Sequence, residues 1–165
     1  MSKKQPAKGM ALEKRVNACN LRYRKQKFAL IEKIELGFRI SSRGLIPLVS
    51  TVDYRGMIKR GDHTSGIAFD AKETKNKVSF PLKNIKDHQI EYLRYVNYIG
   101  GEAYLLIQFT ELYQDTAFLT PISFIIDYWD NQFNGGPKSI KHDAFSKDWL
   151  VPIDDYLKLT TKTSE

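Results

Sequence analysis

The chain has 165 residues, 42% of them hydrophobic, which suffices for one domain around a single core and leaves little room for a second. No apolar run approaches the roughly 20 residues of a membrane span, and the start MSKKQPAKGM carries charge with no hydrophobic stretch behind it, so a soluble, cytoplasmic protein without membrane attachment is expected. The single Cys19 excludes an internal disulfide or a cysteine zinc site and reads as a small core residue. The net charge is +7, and it is unevenly placed: of 26 Lys/Arg and 19 Asp/Glu, nine and one fall in residues 1–27, so the remaining 17 and 18 nearly cancel. A positive N-terminal end favours a polyanionic partner, although basic solvated faces are common.

Residues 1–8 are polar and Lys-rich and read as a basic flexible arm, followed by one domain over 9–160 and a short tail, 161–165. From Leu12 to about Lys27 the apolar residues Leu12, Val16, Cys19, Leu21 and Tyr23 recur at helical spacing between Arg and Lys, which predicts a basic amphipathic helix. Phe28–Ile34 predicts a strand. GFRISSRGLIP, with Gly37, Gly44 and Pro47 as breakers, predicts a loop or short projection.

STVDYRGMI and GIAFDAKET, joined by the turn-rich KRGDHTSG, predict a β-hairpin. Strand alternation sets Ile67, Phe69 and Ala71 on one face and Ala68, Asp70 and Lys72 on the other. The same rule sets Val52 and Tyr54 opposite Thr51, Asp53 and Arg55, so each strand is expected to offer one apolar and one polar face. After the basic loop KNKVSFPLKN, a helix is predicted from about Ile85 to Ile99, with Ile85, Gln89, Tyr92, Leu93 and Val96 on one stripe. Ala103–Phe109 and Ala117–Leu119 read as strands, Pro121–Trp129 as a helix opened by proline, and Asp154–Leu159 as a closing helical turn. The order predicts an α/β (α+β) fold with a central mixed sheet flanked by helices.

Asp53 and Asp70, brought together on paired strands, offer the hard oxygen ligands that magnesium prefers. Lys72 stands two residues beyond Asp70, on the same strand face, where an ammonium can neutralise charge on a phosphate under attack. The acid-x-Lys spacing occurs a second time at Glu73 and Lys75, so the pair alone favours a surface ion pair on a solvated strand. The second carboxylate strand is what turns the reading toward a reaction centre.

The stretches GMALEKRVNACN, STVDYRG, FDAKETKNKVSFPLKNIKDHQIEYL and YWDNQFNGGPKSI resemble, in the same order, the RecU family of Holliday-junction resolvases, PD-(D/E)XK nucleases with a restriction-endonuclease-like core. The resemblance runs from about Gly9 to Ile140. It implies that Thr51, Asp53, Asp70 and Gln89 surround Mg²⁺, with Mn²⁺ as a substitute, and that Lys72 stabilises the transition state. Glu13 stands where related folds place a supporting acid, or it is simply an acid favoured near a helix N-terminus. His88 is given a surface or capping role. The implied activity is metal-assisted attack of water on a phosphodiester of branched DNA, leaving 5′-phosphate ends.

Two strands of a four-way junction need two reaction centres, and one chain supplies one, so a C2 homodimer is expected. Phosphate contacts are expected from Arg22, Arg24, Lys25, Arg39, Arg43, Lys75, Lys77, Lys83 and Lys86. No protein partner, such as a recombinase, is identifiable. A non-catalytic binder of branched DNA and a general duplex nuclease are the competing readings. Three departures stand out. Asp70 replaces the usual Glu, KRGDHTSG lengthens the hairpin into what is expected to be an extended basic tip, and the segment between Ile34 and Ser50 is shorter than the family's projecting stalk.

Overall fold

The structure is a computed structural model that describes residues 10–35, 37–48 and 51–157; the arm, the tail and the end of the closing turn lie outside these residues. Helix α1 (Met10–Lys25) buries Leu12, Val16, Cys19 and Tyr23, the positions that 3.6-residue periodicity brings to one side. Lys27 adopts a left-handed φ of 55° and turns the chain into β1 (Ala29–Lys33). Then come β2 (Phe38–Ser41), β3 (Gly44–Pro47), β4 (Tyr54–Arg60), β5 (His63–Thr74), β6 (Ser79–Pro81), α2 (Asp87–Tyr98), β7 (Glu102–Phe109), β8 (Thr116–Pro121), α3 (Ile122–Asn131), β9 (Ser139–Lys141) and β10 (Leu150–Pro152). A short 3₁₀ turn, Ile153–Asp155, follows. No described helix is long and apolar enough to cross a membrane.

Six strands form the central sheet in the order β1-β4-β5-β7-β8-β10. All neighbours are antiparallel except β5 and β7. A parallel pair needs a long crossover, and here it contains β6 and α2, which returns across the sheet and covers β5 and β7. One core lies between the sheet and α1, with Tyr54, Phe69 and Leu106. The other lies beneath α2 and α3, with Ala68, Leu105, Ile107 and Leu93. The class is therefore the mixed α+β sheet expected from the element order.

Several local expectations change. The predicted polar face of β5 is not open to water, because α2 buries Ala68 and Asp70. Val52 and Tyr54 do not share a face: Val52 joins the core under α2 and Tyr54 the core under α1. The reason is that residues 51–53 form a bend before β4 begins, so strand alternation does not extend back to them. The KRGDHTSG segment is mostly strand, with Arg60 paired to His63 across a two-residue turn at Gly61 and Asp62. The hairpin is extended as expected, but its Arg60 is held by Glu102 in two hydrogen bonds of 2.8 and 2.6 Å, largely out of solvent, so Arg60 adds no open charge to the tip. The predicted projection is an exposed hairpin of β2 and β3, a separate two-stranded sheet. Strands β6, β9 and β10 are additional to the predicted elements.

Strands β1 and β4 approach closely at Gly56. A Cβ built there would lie 1.8 Å from the Leu30 carbonyl oxygen, a backbone atom with no rotamer to escape into. Gly56→Ala is therefore expected to cost about 1–3 kcal/mol in urea unfolding, because the strand pair must separate. Gly66→Ala is the control: its Cβ meets nothing within 4 Å, and the change should stay within about 0.5 kcal/mol. Equal losses at the two positions would show that the close approach is not what requires glycine.

Candidate active site

Asp70 lies in the middle of β5 with no exposed surface. Its Oδ1 accepts a 2.5 Å hydrogen bond from the backbone N–H of Asp53. Its buried Oδ2 has no hydrogen-bond partner and faces the Lys72 ammonium 3.4 Å away. Strand alternation explains this pairing, since residues 70 and 72 share a face. Asp53 is fixed from three sides. Its carbonyl accepts from Ile34 N–H at the end of β1, its N–H donates to Asp70, and its Oδ2 accepts from Ala71 N–H at 3.3 Å. The bend thus places the second carboxylate beside the first without strand pairing at that position.

Burial raises the pKa of both acids. Asp70 is pushed up to about 6, first by loss of water and then by the neighbouring Asp53 charge, with Lys72 and the Asp53 N–H opposing. Asp53 moves in the same direction, again chiefly by desolvation, with Lys72 opposing. Two carboxylates in one dry site favour uptake of a proton or a cation.

Gln89 is buried in the first turn of α2. Its Oε1 accepts from Lys72 Nζ at 2.9 Å and reaches back to Lys86 N–H at 3.0 Å, so one amide both caps the helix and orients the lysine. In this arrangement Gln89 is a hydrogen-bond partner of Lys72 and shares a cavity with Asp53. Thr51 is exposed on the bend. Glu13 forms a 2.6 Å ion pair with Lys33, shares a cavity with Asp53, and its charge adds to the upward shift of the Asp53 carboxyl. Among the described residues no group of three or more His, Cys, Asp and Glu is gathered as for a metal, so the acidic centre is the Asp53 and Asp70 pair.

Two cavities flank this centre and Glu13 lines both. One, of about 550 Å³, is bounded by Asp53, Gln89, His88, Lys86 and Lys33 and reaches Leu48 beyond β3. The other, of about 280 Å³, is bounded by Lys72, Glu73, Lys75 and Thr110. Sequence reasoning misses Lys33, which by strand alternation stands on the α1 side of β1 with Ala29 and Ile31 and there meets Glu13 of α1. Of the residues expected to meet phosphates, Arg24, Lys25, Arg39, Arg43, Lys75, Lys77, Lys83 and Lys86 are exposed. Arg22 is engaged elsewhere. Its guanidinium donates to the Asp154 carbonyl and lies 3.6 Å from the Asp155 carboxylate, which ties α1 to the closing turn.

The Recombination protein U (RecU) family profile matches residues 7–160. The chain is 39% identical over 153 residues to a Holliday junction resolvase RecU of Limosilactobacillus reuteri (strain DSM 20016), covering 86% of this chain and 72% of that one. It is 37% identical over 145 residues to the protein of that name from Geobacillus sp. (strain WCH70), covering 81% and 69%. With the one from Pediococcus pentosaceus, identity is 32% over 176 residues, covering 96% and 85%. A profile match across nearly the whole described domain, with relatives at this identity, establishes that the chain belongs to the RecU family.

Proposed function

We propose that this protein is a divalent-metal-dependent endonuclease that resolves Holliday junctions and related branched DNA as a homodimer, leaving 5′-phosphate ends. The observation that carries the reading is the pair of desolvated carboxylates, Asp53 and Asp70, facing the Lys72 ammonium. Membership of a family whose relatives bear the name Holliday junction resolvase supports the substrate.

The donor set fits a hard cation. Both carboxylates supply oxygen, and the buried Asp70 Oδ2 lacks a hydrogen bond, so Asp53 and Asp70 would hold the ion, Mg²⁺ or Mn²⁺. When bound, such an ion activates a water nucleophile and neutralises charge at the phosphate. Gln89 would become a ligand only by releasing one of its two donors, and Thr51 only through its exposed hydroxyl. Lys72 supplies a fixed positive charge beside the carboxylates, where it meets the growing charge on phosphate oxygens. Gln89 keeps that ammonium directed inward. The Ala71 N–H and the Asp53 N–H hold the two acids in place, so little reorganisation is needed when substrate arrives. The exposed lysines beside the cavities, Lys75 and Lys86, provide sequence-independent phosphate contact.

Asp53→Asn and Asp70→Asn are each expected to lower junction cleavage by at least about 100-fold while junction affinity, read by gel shift, changes little, because the basic surface is intact. Lys72→Ala should lower turnover by a similar factor, and Gln89→Ala by less, since it acts through Lys72. The assay compares a four-way junction, a fork and a linear duplex with and without Mg²⁺. Equal cleavage of all three would reduce the reading to a general nuclease, and cleavage unaffected by a chelator would remove the metal.

The raised pKa of Asp70 also predicts a pH effect on the metal-free protein. The folded carboxyl holds its proton to about pH 6, above its ordinary value, so this contribution to stability is full below about pH 4 and is lost as pH rises through 6. A tenfold tighter hold on the proton in the folded state stabilises it by roughly 1.4 kcal/mol. Asp70→Asn should therefore raise the melting temperature above pH 6 and flatten the slope between pH 4 and 6, even as cleavage falls. A variant less stable than wild type at pH 8 would contradict a buried, uncompensated charge.

A further inference from the structure

The hairpin of β4 and β5 runs past the start of β1, whose first residue, Ala29, pairs with Ile58 and leaves Lys59 and Arg60 beyond it. One wall of a groove of about 520 Å³ is this hairpin tip, and the other is the turn that ends α1. The tip belongs to KRGDHTSG, the stretch that lengthens the hairpin in this chain. The groove lies at the end of the sheet away from the carboxylates, about 20 Å along β4 from Asp53. Its rim is basic, with Arg24 and Lys27 on one side and Lys59 and His63 on the other, all exposed. Among the described residues no carboxylate pairs with Arg24, Lys27 or Lys59. The one acid on the rim, Asp62, lies 3.6 Å from His63.

Lys27 keeps its place against the preference of the backbone. Phe28 N–H donates to the Tyr23 carbonyl and Lys27 N–H to the Arg24 carbonyl, the pattern of a helix cap whose left-handed residue is most often glycine. A lysine at φ 55° is strained where glycine is not, and what the chain gains is a cation on the rim. The floor is apolar: Leu30 and Met57 are 44% and 48% exposed there. That combination selects among polyanions. A duplex backbone is met by cations on an open track and would leave such a floor uncovered. Unpaired bases need an open ring to stack on, and Phe28, the one aromatic residue lining the groove, is half-buried with its ring packed on Tyr23 at 5.2 Å. The ends of this chain carry the wrong charge, since residues 1–9 hold Lys3, Lys4 and Lys8 without an acid and residues 158–165 hold Lys158 and Lys162 against Glu165. Carboxylates interleaved with apolar side chains satisfy rim and floor together.

We propose that this groove docks an acidic segment of another protein, its carboxylates on Arg24, Lys27 and Lys59 and its apolar side chains against Leu30 and Met57. The site requires neither DNA nor metal. Because it lies at the far end of the sheet, a partner can hold the chain there while Asp53 and Asp70 stay open to substrate.

The test uses the full chain and a labelled peptide of about ten residues, Asp and Glu around two central leucines, read by fluorescence anisotropy at about 0.15 M salt, where diffuse surface attraction is screened. Wild type is expected to bind it with a Kd of roughly 1–100 µM, and about tenfold more tightly than the same peptide with serines in place of the leucines. Lys27→Gly, Lys59→Gln and Met57→Gln should each weaken binding about fivefold. Lys27→Gly relieves the left-handed residue, so its melting temperature should equal or exceed that of wild type, and its loss of affinity is then not a loss of fold. Lys147→Gln, beside β10 at the other edge of the sheet, removes the same charge and should bind like wild type. Junction cleavage by all four variants should match wild type, which separates failure here from failure of the nuclease reading. A wild type that ignores the peptide, or binds its leucine and serine forms alike, overturns the proposal. So does an equal loss of affinity in Lys147→Gln and Lys27→Gly. Linear duplex affinity that falls in Lys27→Gly and Lys59→Gln while peptide affinity holds would make the groove a DNA surface and overturn it as well.

Discussion

A carboxylate with no exposed surface, on a central strand covered on both sides, is the constraint around which the rest of this structure is arranged. Burying an ion that has lost its water is costly unless opposite charge and hydrogen bonds replace the water. At Asp70 the replacement is partial. One oxygen takes the Asp53 N–H, and the other meets the Lys72 ammonium at 3.4 Å without a hydrogen bond. A second acid, Asp53, is held next to it and makes the deficit larger. A site built for stability alone would place an apolar residue at position 70, as it does at the neighbouring positions Phe69 and Ala71. The deficit is useful only if a cation is to be attracted.

The architecture delivers that deficit through connections that are local in space and distant in sequence. The parallel pairing of β5 with β7 forces a crossover, and the crossover places Gln89 above Lys72. The antiparallel run of β1 beside β4 brings the Ile34 N–H to the Asp53 carbonyl and fixes the bend. Helix α1 then closes the rim with Glu13, whose pairing with Lys33 joins the first helix to the first strand. Each polar member of the centre is held by an element whose own position is set by apolar burial, so the chemistry inherits its precision from the core.

What is legible in the sequence follows from periodicity. Leu12, Val16, Cys19 and Tyr23 declare α1, and the alternation through GIAFDAKET puts Asp70 and Lys72 together, because a strand has one repeat and no freedom to break it. The bend at 51–53 has no repeat, so alternation misplaces Val52 even though Asp53 reaches Asp70. Three-residue strands such as β9 and β10 are too short to show a pattern. Gln89 stands out in the sequence only as a polar residue on an apolar stripe; its bond to Lys72 depends on a crossover that spacing does not encode. Family resemblance supplies the identity of the chemistry, which charge and periodicity leave open between a nuclease and a solvated strand.

The distribution of charge is the last case where counting and structure part. The N-terminal excess of Lys and Arg suggests a helix devoted to phosphate, yet α1 divides its cations. Arg15 makes two hydrogen bonds to Asp154, of 2.9 and 2.8 Å, and lies 3.2 Å from Asp115, and Arg22 is drawn to the same closing turn. These arginines secure the C-terminal segment to the first helix, where Tyr156 adds a bond to the buried Asn20. Arg's fork suits such multiple contacts, while Lys14, Arg24 and Lys25 remain exposed. The same stretch of sequence therefore serves two purposes, and the side chains that can reach a polyanion are those with no carboxylate folded against them. Net charge identifies the class of partner, and the internal ion pairs decide which part of the surface meets it.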